Sequence, residues 1–369
     1  MSLGRIAVLG GGNGAHALAA DMALRGFEVA LAELPAFSRR VAKVLRTRSI
    51  EVSGVGRTGT ARLALATTDV GQALRGAEVV NFVMPAMGQE PFLRAALPHL
   101  VPGQVAILWP GNSGSLLAYR LLQRAGKRGV VVAETNTLPY GCRLLGPGRV
   151  FIGIRGSQVH LAAMPASRTA EARRAAGRMY PGMMKVLGNV LAVALSNPNP
   201  LVHPPGTLLN LGRIEHARGD FYLYKEGVTE SVCRLVQGLC REAKVLGDRL
   251  GTKLISYPRQ AYFGYGSIMC HYFDDVRRKH ASGFRGPTSL EDRYITEDVP
   301  FGLATFALLG AQVGVDMPLT RALVEVASQA AGRDFWVEAR TPRDLGIAGM
   351  TASQLRRYVE TGARPTPPK

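Results

Sequence analysis

Apolar residues in the first half of the chain gather into short unbroken runs, with amphipathic stretches between them. Strands buried on both faces, alternating with helices, leave that pattern. Arg5 to Leu9 is the first run and Glu28 to Ala32 the second. Weaker β-type runs follow around residues 50–52 and 64–67. Ala77 to Val83, Gln104 to Leu108 and Val130 to Ala133 continue the series, and two further strands are expected near residues 151–154 and 159–162. Helices are expected over residues 17–24, in the basic stretch after Glu33, over 70–74 with Asp69 as N-cap, over 89–97, up to Leu122, and from about Arg168. Such alternation predicts a doubly wound, mainly parallel sheet.

Past Asn189 the period changes. Residues 189–205 are rich in Asn and Pro and mark a boundary. Beyond it the best pattern is Thr229 to Leu250, where Val232, Leu235, Val236, Leu239, Ala243, Leu246 and Leu250 recur three or four apart. Further helices are expected over 301–313, 319–331 and 352–360. The fold expected is an α/β domain over residues 1–190 and an all-α domain over 191–369. The end from Ala363, with its three prolines, is expected to be disordered.

The first strand runs directly into Gly10-Gly11-Gly12-Asn13-Gly14-Ala15-His16. Gly10 and Gly12 fill the first two glycine positions of a G-x-G-x-x-G/A turn, and Ala15 the third. A Cβ at the glycines would block the tight turn and the approach of a pyrophosphate, whose charge suits a helix N-terminus. The second strand ends in Glu33, about 20 residues further on, where a carboxylate accepts from a ribose 2′-hydroxyl. This is the Rossmann pattern. The cofactor residues expected are Gly10, Gly12, Asn13, Gly14, Ala15 and Glu33, with Met84 and Pro85 at the end of the Ala77–Val83 run. Glu33 favours NAD(H), while Arg39 and Arg40 lie near enough to keep NADP(H) possible.

With 369 residues and 47% hydrophobic content the chain is long enough for two cored domains. No apolar run approaches the ~20 residues of a membrane span. Met1 to Gly4 is too short and too polar for a signal peptide, so a cytoplasmic protein is expected. A net charge of +18 raises the question of nucleic acid. Yet Arg39, Arg40, Lys43, Arg46, Arg48, Arg173, Arg174, Arg277, Arg278 and Lys279 are scattered over helix surfaces, with no recognition module beside them. A positive enzyme attracting anionic cofactor and carboxylates is the milder account. Cys142, Cys233, Cys240 and Cys270 lack C-x-x-C spacing, and His271 has no partner pair, so neither a metal site nor a disulfide framework is expected.

Two segments of the second half carry chemistry. In Asn197 to Gly206, prolines flank His203, which predicts a pinned loop rather than a helix interior. A histidine there is either a general acid/base, with an ordinary pKa of ~6.5, or one bonded only within its loop. In Arg293 to Pro300, Arg293 and Asp298 are either functional or a simple ion pair.

Taken together, Gly10–His16, Glu134–Tyr140, Asn199–Gly206, Phe221–Gly227 and Arg293–Pro300 resemble the NAD/NADP octopine/nopaline (opine) dehydrogenases, in the family's order and to about Gly346. The resemblance implies an NAD(P)H-dependent enzyme that condenses a 2-oxo acid, often pyruvate, with the amino group of an amino acid. It implies that His203 exchanges protons with the reacting centre and that Asp298 orients it and favours its charged form. It further implies that Arg293 grips a substrate carboxylate, and that Glu134, Tyr140, Cys142 and Asn199 serve the substrates. Cys240-Arg241-Glu242-Ala243 departs from the family's Asp-x-Glu-Arg, so a salt bridge is expected to be missing. The partners implied are small molecules, with neither nucleic acid nor membrane, and a homodimer is an open alternative to a monomer. Two other readings stand beside this one. The first is a ketopantoate or glycerol-3-phosphate type reductase, which would need a catalytic lysine such as Lys225 or Lys244. The second is a non-catalytic NAD-binding sensor.

Overall fold

The computed structural model describes residues 3–255 and 285–365. Cys270, His271, the Arg277–Lys279 cluster and the last four residues of the Pro-rich end lie outside the described residues. The chain divides into two compact units, Met1–Val190 and Leu191–Lys369.

The first unit holds twelve strands: β1 (Arg5–Leu9), β2 (Glu28–Ala32), β3 (Ser49–Gly54), β4 (Gly59–Arg62), β5 (Leu65–Thr67), β6 (Val79–Phe82), β7 (Val105–Leu108), β8 (Val131–Thr135), β9 (Tyr140–Gly146), β10 (Arg149–Arg155), β11 (Val159–Met164) and β12 (Met184–Val186). Eight of them form one sheet in the order β12-β11-β8-β7-β6-β1-β2-β5. Pairing is parallel throughout except where β11 meets β8. β1 lies between β2 and β6, so the strand order reverses there, and the loop at its carboxyl end sits at the topological switch point. The strands are apolar on both sides because helices cover both faces. Ile6, Val8, Leu18, Met22, Leu31, Trp109 and Tyr180 belong to the resulting core, each large apolar side chain giving roughly 1.5–3 kcal/mol on burial. Trp109 carries its N–H to Asn81 Oδ1 (3.0 Å), and Asn81 in turn donates to the Ala7 carbonyl (3.0 Å), so the indole and the amide are both bonded inside.

The remaining four strands form a separate sheet, β4-β3-β10-β9. The β-type runs near 50 and 151 thus pair with each other, in parallel, across a hundred residues of chain. The basic stretch after Glu33 is a 3₁₀ turn, Pro35–Val41, followed by the short helix Ala42–Thr47.

Among its described residues the second unit contains helices and turns only. The helix Glu230–Arg249 buries Val232, Val236, Leu239, Ala243 and Leu246. Val232, Val236 and Leu239 pack in a core with Phe221, Leu223, Ile295, Val299, Leu303 and Phe335. Glu242 accepts from the Leu319 and Thr320 N–H groups (2.8 and 2.9 Å) and the Thr320 hydroxyl (2.7 Å). It thereby satisfies first-turn donors of the helix Pro318–Ala331.

His203 corrects one sequence expectation. It lies inside the helix Asn199–Leu208, with Pro204 and Pro205 in the same helix. Pro200 sits in the first turn, where a missing N–H costs nothing. Pro204 and Pro205 each remove one i→i−4 bond, and the helix persists because Pro200, Leu201, Val202 and Thr207 are buried around them. Packing outweighs the local penalty.

Candidate active site

The cofactor residues of the first unit converge on the end of β1. Gly10 has φ +117, and a Cβ there would stand 2.4 Å from the Val83 carbonyl oxygen. Only glycine fits. Gly12 is different, for a Cβ there meets nothing within 4 Å. The space in front of it is open, and the helix Asn13–Leu24 that it caps has no side-chain cap and no acidic residue in its first turn. An uncapped helix start behind an open glycine is what a pyrophosphate requires. Gly14 packs against Leu138, and Ala15 is fully buried. Asn13 turns its side chain to the Leu144 N–H (2.9 Å), tying the helix start to β9. His16, which sequence reasoning gave no role, places Nδ1 3.1 Å from the Gly12 carbonyl, and burial lowers its pKa.

Glu33 stands at the edge of this loop. It accepts from the Leu34 N–H (2.7 Å), and a Cβ on Gly11 would lie 2.6 Å from its carboxylate. Burial raises its pKa, opposed by the Leu34 N–H, the Arg40 charge and a Gly11 backbone bond. Arg40 is exposed, with its guanidinium 5.2 Å over the Phe37 ring. Met84 is buried beside Gly88, and Pro85 caps the helix Ala86–Ala96.

Of the substrate residues expected in this unit, Glu134 lies next to last in β8, fully buried, and accepts from the Ser115 N–H (2.9 Å) at the start of the helix Gly114–Arg124. Tyr140 and Cys142 belong to the core. The Tyr140 hydroxyl donates to Asp21 (2.6 Å) and lies 2.8 Å from the Tyr180 hydroxyl. Tyr140 and Cys142 are both almost fully buried in this unit.

The second unit assembles the other residues. His203 is 3% exposed and Asp298 2%. His203 Nδ1 lies 2.6 Å from Asp298 Oδ2. His203 Nε2 lies 2.5 Å from the Tyr224 hydroxyl. The imidazole stacks on Tyr294, with centroids 3.8 Å apart and planes 14° apart. Asn199 opens the same helix one turn ahead, its N–H held by Asn197 Oδ1 (3.0 Å).

Two wide helical turns deliver these groups. In one, the Val228 N–H reaches the Leu223 carbonyl (2.8 Å), five residues back, and Tyr224 lies within it. In the other, the Asp298 N–H reaches Arg293 (3.2 Å) and the Leu303 N–H reaches Asp298 (3.1 Å). Single π-type turns of this kind recur at functional sites. The short helix Arg293–Thr296 is capped by Asp292 through the Tyr294 N–H. Arg293 keeps its side chain 45% exposed, paired at 3.4 Å with the buried Glu297.

Burial pushes the Asp298 carboxyl up to about 8, with Arg293 opposing and Asp292 adding. At 2.6 Å from His203 the two titrate as one unit, able to hold or release a proton near neutrality. Burial also drives the Tyr224 hydroxyl well above its usual range, so it stays protonated. Of the lysines a rival reductase would need, Lys244 is exposed and paired with Asp248 on the helix face.

An opine dehydrogenase of Arthrobacter sp. (strain 1C) is 33% identical to this chain over 356 residues, covering 96% of the chain and 98% of the relative. The chain belongs to the opine dehydrogenase family. Residues 186–331 match the family model described as NAD/NADP octopine/nopaline dehydrogenase, alpha-helical domain. Octopine dehydrogenase with NADH and pyruvate superposes with a TM-score of 0.74 at 20% identity, over 98% of this chain and 99% of that one. Yersinopine dehydrogenase with NADP+ bound superposes with a TM-score of 0.68 at 20% identity, over 97% and 98%. This family member is an NAD(P)-dependent oxidoreductase acting on CH–NH donors, which joins a 2-oxo acid to the amino group of an amino acid. No helix among the described residues is long and apolar enough to cross a membrane.

Proposed function

We propose that the chain condenses pyruvate, or a close 2-oxo acid, with an amino acid in the cytoplasm, using NAD(H), and that His203 is its acid/base. The buried His203–Asp298 pair at 2.6 Å carries the reading. Asp298 fixes the ring through Nδ1 and leaves Nε2 for proton exchange, while Tyr294 holds the ring plane. Arg293 keeps a partly exposed guanidinium beside the pair, and a planar fork suits a carboxylate bidentately. Asn199, Glu134, Tyr140 and Cys142 are the remaining candidates for substrate contact.

When bound, the nicotinamide supplies hydride to the imine carbon or takes it back. Gly10, Gly12, Asn13, Gly14 and Ala15 would hold the pyrophosphate, and Met84 and Pro85 would line the loop opposite. Glu33 would take the adenosine ribose. Its carboxylate disfavours a 2′-phosphate, which supports NAD(H), while Arg40 alongside softens that preference. The protein's own part is to supply and take back a proton: the carbinolamine hydroxyl needs one to leave as water, and the pair holds one near neutral pH.

NADH consumption tests this, with pyruvate alone and then with each amino acid, taurine and β-alanine. Oxidation that needs both an oxo acid and an amine supports condensation and names the amine. Oxidation by the oxo acid alone would make the enzyme a simple ketone reductase.

A further inference from the structure

His203 has two ring nitrogens, and the site engages both. Asp298 takes Nδ1. The nitrogen left for chemistry, Nε2, lies 2.5 Å from the Tyr224 hydroxyl, so the group standing where the acid/base must deliver its proton is a phenol. Tyr224 is firmly held there. Phe221 and Leu223, just before it, are 1% and 0% exposed. The Tyr222 N–H donates to Glu226 Oε1 (2.7 Å), and the Val228 N–H closes the wide turn. Its ring lies 6.0 Å from the imidazole and inclined at 59°, which presents the oxygen edge-on to Nε2. Tyr294 bonds the same hydroxyl, and the Arg293 and Asp298 charges act on it.

We infer that Tyr224 is a second catalytic residue, whose hydroxyl carries the proton between His203 Nε2 and the substrate; this rests on the reading of His203 as the acid/base. A neutral phenol both donates and accepts, so it can give one proton and receive another in the same step. In the condensing direction the carbinolamine C–O bond breaks as the nitrogen lone pair forms C=N. The Tyr224 O–H proton goes to the departing oxygen, which leaves as water. The Nε2 proton of charged His203 moves onto the Tyr224 oxygen, leaving His203 neutral and the substrate a cationic iminium. The reverse reaction runs the same transfers backwards. Such burial keeps Tyr224 from standing as a free phenolate, which suits a relay and not an independent base.

The test uses Tyr224→Phe, His203→Gln and the double variant, each assayed for kcat and for NADH affinity by fluorescence. Tyr224→Phe should lose about 100-fold in kcat, at the lower end of acid/base effects, with NADH binding unchanged. The double variant should be little worse than His203→Gln alone, because one proton path fails only once. Tyr224→Phe turning over at the wild-type rate or faster would overturn the relay, showing a hydroxyl that merely occupies Nε2 until substrate displaces it. Losses that multiply in the double variant would overturn it as well. A His203→Gln enzyme at full speed sinks the acid/base reading itself, so the two failures are separable. Where the phenylalanine variant does not fold, 2,3-difluorotyrosine at 224 keeps the shape and makes the phenol more acidic. Turnover should then persist with its pH limb displaced, and an unmoved limb counts against the relay.

Discussion

The glycine turn of the first unit is built from backbone, whereas the His203 cluster of the second is built from side chains. At the turn the informative facts are what is missing: an open space at Gly12, an uncapped helix start, and a Cβ that cannot exist at Gly10. In the cluster they are what is crowded in: a buried carboxyl, imidazole and Tyr294 phenol, with the half-buried Tyr224 phenol bonded to the imidazole. Recognition by backbone suits a cofactor common to many enzymes, since a phosphate needs only N–H groups and a helix dipole. Proton chemistry needs titratable groups, and those must be buried and paired to be tuned.

Gly10 and Gly12 sharpen the comparison most, because they separate fold from ligand within one loop. Gly10→Ala should cost on the order of 1–3 kcal/mol in stability, as a strained backbone position does, and NADH binding with it; a thermal melt and an NADH titration measure both. Gly12→Ala should leave the melt within about 1 kcal/mol, as substitutions into open space usually do, yet weaken NADH by about tenfold or more (about 1.4 kcal/mol). Equal stability losses at both positions would erase the distinction.

Arg293→Lys probes the cluster's edge. Losing the bidentate fork should raise KM for the oxo acid by about tenfold (about 1.4 kcal/mol) and leave the NADH dissociation constant unchanged. A change confined to NADH would move Arg293 to the cofactor's side.

The last effect is on stability against pH. Asp298 holds its proton to about 8, far above its ordinary 3.8, so the folded chain binds that proton where the unfolded chain has lost it. That contribution is complete below about pH 4 and disappears as pH rises through about 8. Asp298→Asn should therefore gain on the wild type between pH 5 and pH 9 in paired melts, and a constant difference would mean that the carboxyl is not shifted.

Much of this was legible from residues alone, for reasons that also mark the limits. Strands β1, β2, β6, β7 and β8 sit inside a parallel sheet and show as continuous apolar runs. The turn at Gly10 and the acid at Glu33 follow from chemistry that tolerates few substitutes. The strands β4 and β9 of the small sheet went unseen, since β3 finds β10 a hundred residues away and no local period records that. His203 was expected on a loop, because two prolines argue against a helix and only tertiary burial reverses that. Tyr140 and Cys142 were expected at a substrate, and their burial in a core that also holds Tyr180 left no mark on the sequence. Tyr224 carried the faintest signal, an aromatic in the Phe221–Gly227 segment whose partner is visible only once two wide turns bring it to His203.

The division of labour between the units is tested most directly by His203→Gln, with kcat and NADH affinity measured on the same preparation. The account predicts a kcat lower by about 10²- to 10⁴-fold with NADH bound as tightly as by the wild type. An unchanged kcat, or a loss of NADH affinity that accounts for the whole decline, would contradict it.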